Sequence, residues 1–134
     1  VELMLGRFID QHMTRAWSPG DTDCILALAD WCVELGYSDP AADLRGTYDD
    51  EIGFQAIIDA AGGVVPLIDS RAALIGVERA ALPEIGFVAV IGSPANVSRQ
   101  WGAIWNGSGW SVRFKDAYPS CAAHALAIWR TEKQ

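Results

Sequence analysis

Apolar positions recur along the chain with a helical period in the first half and with short β-like runs in the second. Between Glu2 and Arg15, the residues Leu3, Leu5, Phe8, Ile9 and Met13 largely share one helical face, which predicts an amphipathic helix. It should end before Trp17-Ser18-Pro19-Gly20, where proline and glycine interrupt helix formation. A second helix follows. Asp21, Thr22 and Asp23 are all suitable N-caps, the run from Ile25 to Leu35 is apolar on most sides, and Gly36 fits the position just past the end. A helix broken only by Asp30 and Glu34 belongs in the middle of a domain, with Cys24 in its first turn.

Beyond Tyr37 the pattern stays helical but broken. Asp39-Pro40 should open a short helix, Arg45-Gly46-Thr47-Tyr48 a turn, and Asp49 or Asp50 should cap a helix through Ile52, Phe54, Ile57 and Ile58 that stops at Gly62-Gly63. Another short helix is expected around Pro66 to Leu74. From Gly86 the period changes. Gly86–Ile91, Trp101–Asn106 and Gly109–Phe114 read as strands, the last two joined through Asn106-Gly107-Ser108-Gly109, and Ser120–Arg130 as a short helix followed by a closing strand. Helices first and an antiparallel sheet second make an α+β fold. No repeat or composition shift divides residues 1–134, so one domain is expected.

Composition narrows the function classes. The chain has 134 residues, 51% of them hydrophobic and 20% charged, which is the balance of a chain with a packed core. A net charge of −7 without any cluster of Lys and Arg argues against nucleic-acid binding. No apolar run approaches the roughly 18 residues of a membrane span, and the charges spread through the first 15 residues are unlike a signal peptide, so synthesis and assembly from the cytoplasm are expected. Three cysteines, Cys24, Cys32 and Cys121, do not suggest a disulfide framework, and their spacings match no zinc site, so neither a metal nor a cofactor is expected.

Cys24 is the position where the local sequence hints at reactivity. Free N–H groups and the macrodipole at a helix start favour a thiolate, by about 2 kcal/mol at best, while Asp21 and Asp23 oppose it. The alternative is a small packed residue, as free cysteine often is. His12 and His124 read as ordinary surface or hydrogen-bonded histidines. Arg45 and Tyr48 read as a structural turn or as ligand contacts. Trp101 and Trp105 should share one sheet face, as core, interface or a stacking platform.

The stretch Trp17-Ser18-Pro19-Gly20-Asp21-Thr22-Asp23-Cys24 before an apolar helix resembles the cysteine motif of NlpC/P60 cell-wall peptidases. The whole pattern resembles more closely a DUF6950-like family found in phages, prophages and gene-transfer-agent clusters. That family has Gly-x-x-Asp-Cys, then Arg-Gly-x-Tyr, a Gly-rich helix end, a Gly-led strand and a late Trp-Arg. Here these are Gly20 to Cys24, Arg45 to Tyr48, Gly62-Gly63, Gly86 to Val90 and Trp129-Arg130. The resemblance implies a papain-like fold with the Cys24 helix packed on the C-terminal sheet, and Cys24 as nucleophile. It places Gln100 in the slot of the catalytic histidine and Phe87 where an aspartate is usual, and a neutral amide is not a usable base. Asp23, Arg45, Tyr48 and Trp101 are the candidate binding residues. The implied setting is the tail of a virion, near its tip. The implied partners are hub, tip or fibre proteins, and peptidoglycan if cleavage survives.

Overall fold

The computed structural model describes residues 1–134. Four helices precede most of the sheet: α1 (Glu2–His12), α2 (Cys24–Glu34), α3 (Glu51–Ala61) and α4 (Val64–Leu74). Six strands follow: β1 (Arg79–Ala80), β2 (Val88–Gly92), β3 (Gln100–Trp105), β4 (Trp110–Ser111), β5 (Ser120–Cys121) and β6 (Ala125–Trp129). They form one sheet in the order β1-β6-β2-β3-β4-β5, and every pairing is antiparallel. The class is therefore α+β.

The predicted caps hold the helices. Asp23 caps α2, and Asp50 accepts a hydrogen bond from the Gly53 N–H at the start of α3. At the end of α2 the Tyr37 and Gly36 N–H groups return to the Cys32 and Val33 carbonyls, the paired closure that glycine at this position permits. Gly63 and Gly62 do the same for α3 through Ile58 and Asp59.

Three expected elements differ. The Asp39-Pro40 helix is a series of turns, because the Asp39 carboxylate accepts from the Ala41 N–H and the chain then closes only single turns around Ala41. The region 120–130 contains no helix: Ser120 and Cys121 pair with Ser111 and Trp110, and Ala125–Trp129 pairs with β2. α1 stops at His12, and residues up to Arg15 form tighter turns.

The sheet has two apolar faces that follow the period of two. Val88, Val90, Ile104, Ala127 and Trp129 pack with residues of all four helices in the main core. Phe87, Ala89, Ile91, Ala103, Trp110, Val112 and Ile128 form a second cluster with no helical member. Val88 thus lies on the helix side of the sheet, and Ala103 and Val112 on the face away from α2. Trp101, Trp105 and Phe114 pack around the second cluster, so Trp101 and Trp105 do share a face.

α2 lies directly on β3. Gly102 makes this possible, because a Cβ there would stand 2.8 Å from the Leu28 Cδ1 and 3.0 Å from the Cys24 carbonyl oxygen. Leu28 is 6% exposed and fills this contact. Leu28→Ala should cost about 2–5 kcal/mol in urea unfolding, as buried Leu-to-Ala changes do, because rigid neighbours on helix and sheet limit collapse of the gap.

Candidate functional site

The site grows from the loop that delivers Cys24. Asp23 is 1% exposed and has non-helical backbone, as an N-cap requires. Its Oδ1 accepts the N–H groups of Ile25 (3.1 Å) and Leu26 (2.8 Å). Its Oδ2 accepts the Gly20 N–H (3.1 Å) and the Tyr48 hydroxyl (2.7 Å). Tyr48 in turn presses its carbonyl against Gly20, where a Cβ would lie 1.8 Å from that oxygen and φ is +86°. Only glycine fits. Asp23, Gly20 and Tyr48 thus form one clamp that sets the entry into α2, and neither Asp23 oxygen is left without a donor.

Cys24 is half-buried and lines a cleft of about 310 Å³ with Gln100, Glu51, Phe54 and Trp101. Burial, then the Asp23 charge, push the Cys24 thiol up to about 12; Glu51 adds to this, and a backbone hydrogen bond at Gly102 opposes it. The thiol is protonated at neutral pH. At a thiol pKa near 12 the thiolate fraction at pH 7 is about a thousandfold below that of a free cysteine. Alkylation of Cys24 by iodoacetamide, followed peptide by peptide, should therefore be slower by about that factor in the native protein than in urea, and should accelerate as pH rises toward 12. A native rate at pH 7 equal to the unfolded one would mean that the thiolate is stabilised after all.

Gln100 is the first residue of β3 and lines the same cleft. Its Nε2 donates to the Ser93 carbonyl at 2.9 Å, which ties the amide to the loop between β2 and β3. Trp101 lies beside it, edge-on to Phe114 at 6.2 Å between ring centroids.

Arg45 is elsewhere. It binds Asp39 (Nε to Oδ2, 2.7 Å) and Asp30 (Nη2 to Oδ1, 2.8 Å), and lines a separate cleft with His12, Arg15 and Asp30. Of the residues singled out in the sequence, then, Cys24, Gln100 and Trp101 share one cleft. Asp23 and Tyr48 support it from within, and Arg45 belongs to a charge network outside it. His124 is exposed.

That network contains a residue the sequence reading passed over. Arg113 is 2% exposed, and its guanidinium donates to the His12 Nδ1 (3.1 Å) and to the carbonyls of His12 (2.6 Å), Arg15 (2.9 Å), Phe114 (2.8 Å) and Lys115 (3.4 Å). Because a guanidinium only donates, the His12 Nδ1 accepts, and the proton sits on Nε2, which donates to the Asp30 Oδ2 at 3.0 Å. Burial alone would raise the Asp30 carboxyl, but the His12 hydrogen bond and the charges of Arg45 and Arg15 hold it below the usual range. The signal for Arg113 was its place in the strand period. With Trp110 and Val112 on the second face, Ser111 and Arg113 must point to the helix side.

A family model described as "Domain of unknown function (DUF6950)" matches residues 1–131, and the chain belongs to that family. No curated protein and no solved structure matches it.

Proposed function

We propose that this member of the DUF6950 family is a degenerate relative of the NlpC/P60 papain-like peptidases that acts without catalysis, as a structural or interaction component of a phage-type tail near its tip. The observation that carries the non-catalytic reading is the cleft shared by Cys24 and Gln100. A cysteine peptidase needs a base to take the thiol proton and then return it to the leaving amine, help worth about 10²–10⁴-fold. The Gln100 side chain that shares the cleft with Cys24 is an amide that donates to the Ser93 carbonyl, and no histidine lines the cleft. The thiol is held protonated by burial and by the Asp23 and Glu51 charges.

The papain-like reading is supported by the cysteine-bearing helix lying on an antiparallel sheet, with the first residue of β3 lining the same cleft as Cys24. The tail setting rests on the ordered motifs from Gly20 to Arg130. The Asp-Cys motif persists on this reading because Asp23 holds the α2 entry, a role independent of catalysis.

The test is an assay of purified sacculi with wild type, Cys24→Ala and Gln100→His. Wild type and Cys24→Ala should release no cross-link peptides, and a gain with Gln100→His alone would identify the amide as the lost base. Release by wild type that disappears in Cys24→Ala would overturn the reading in favour of an active peptidase. Mass spectrometry of purified tail particles tests the location, and absence of the chain from them would refute it.

A further inference from the structure

The Cys24 cleft continues past Trp17 into an open trough of about 430 Å³, and the two share Trp17, Arg113 and Lys115. The trough runs between residues 13–17 and the Arg113–Asp116 segment. Its lining carries Arg15, Arg113 and Lys115 against a single carboxylate, Asp116, in a chain whose net charge is −7. Arg15 is paired with Asp30 and Asp21, so the positive charge left in the trough is that of Arg113 and Lys115.

Two of these cations lack an anionic partner. Lys115 is exposed and forms no ion pair within the chain. Arg113 is buried, and each of its acceptors is a carbonyl or the neutral nitrogen of His12. A charge in a low-dielectric wall is poorly screened, so its field reaches the groove it lines. The other end of the groove is aromatic, with Trp101, Phe114 and Phe54 half-buried there beside the Glu51 carboxylate, which can accept a backbone N–H, and the amides of Gln55 and Gln100. An occupant must therefore offer carboxylates at one end, and apolar side chains with backbone amides at the other. An extended peptide offers both, with side chains alternating along its length.

We propose that this continuous groove docks an extended acidic segment of a partner protein, its carboxylates over Lys115 and Arg113 and its apolar side chains against Trp17, Trp101 and Phe114. The proposal rests on the non-catalytic reading, since an active enzyme would cut what it holds there.

The probes are acetylated, amidated octapeptides alternating Glu with Leu or Phe, their Gln counterparts, and a soluble peptidoglycan stem peptide. Each is titrated into the full chain and followed by amide and indole chemical shifts. The acidic octapeptides should bind about tenfold or more tightly than the Gln versions, shift the Trp17 and Trp101 indole signals, and weaken as salt is raised. Lys115→Glu should weaken them by at least about tenfold and leave signals outside the groove in place. Equal binding of the Gln peptides, no movement of Trp17 or Trp101, or indifference to Lys115→Glu overturns the proposal. Tighter binding of the stem peptide overturns the assignment to a protein segment. Binding is read in Cys24→Ala as well, so sacculus cleavage by wild type would sink the non-catalytic reading while leaving the peptide result legible.

Discussion

Asp23→Ala is expected to lose about 2.5–8 kcal/mol, a large share of the 5–15 kcal/mol that keeps a domain folded. Three losses add. The N-cap bonds to Ile25 and Leu26 are worth about 0.5–2 kcal/mol. The Gly20 N–H and the Tyr48 hydroxyl are then left in the interior without an acceptor, at about 1–3 kcal/mol each. Burial and the Asp23 charge push the Tyr48 hydroxyl well above its usual range, so it stays a donor and cannot escape by ionising. Asp23→Asn should fall between alanine and wild type. Its Oδ1 keeps the cap, but its amide nitrogen opposes the Gly20 N–H. Urea unfolding of the three proteins checks the ranking, and a loss under about 1 kcal/mol in the alanine variant would show that water replaces the carboxylate there.

This prediction also marks how far the sequence could be read. That Asp23 caps α2 was legible, because capping is local chemistry within three residues of the helix start. That Tyr48 completes the clamp was visible only as a recurring motif, since the contact spans 25 residues. The same division explains the errors. The segment 120–130 is rich in alanine and suggests a helix locally, but Ala125–Trp129 has an open edge of β2 to pair with, and non-local pairing prevails over a weak local preference. Asp39-Pro40 offers a helix start, yet the Asp39 carboxylate binds Ala41 and Arg45 and holds the chain in turns.

The six tryptophans lie largely inside: Trp31, Trp110 and Trp129 are buried, and Trp17, Trp101 and Trp105 half-buried. They fill two cores because the sheet is apolar on both faces. The large apolar residues left most open are aliphatic: Leu3, Ile52, Leu74 and Leu82. At the site, motif order singled out Cys24 and Gln100, which line one cleft. The burial that raises the thiol, and the Glu51 charge that adds to it, depend on tertiary packing that no spacing encodes.

Arg113 provides the second large effect. Arg113→Met keeps most of the stem's volume but removes every donor, leaving the His12 Nδ1 and four carbonyls to find partners at the C-terminal end of α1. Water can reach the exposed side at Lys115, and the His12 carbonyl keeps the Arg15 N–H, but His12 is 3% exposed and its ring Nδ1 is left without a donor. At about 1–3 kcal/mol for that buried orphan, plus about 1.5–3 kcal/mol for the charge-assisted bonds, the expected loss is about 2.5–6 kcal/mol. Size alone would not separate this account from ordinary loss of packing. The double variant Arg113→Met with His12→Phe does, because it removes the orphaned ring nitrogen, and replacing both partners of a buried polar pair with apolar groups costs far less than breaking one. The two changes should therefore be non-additive, with the double variant more stable than the summed single losses by about 0.5–3 kcal/mol in a double-mutant cycle. Strict additivity would mean that the guanidinium–imidazole bond contributes nothing, and that the guanidinium ties α1 to the segment after β4 through the carbonyls of His12 and Arg15 instead.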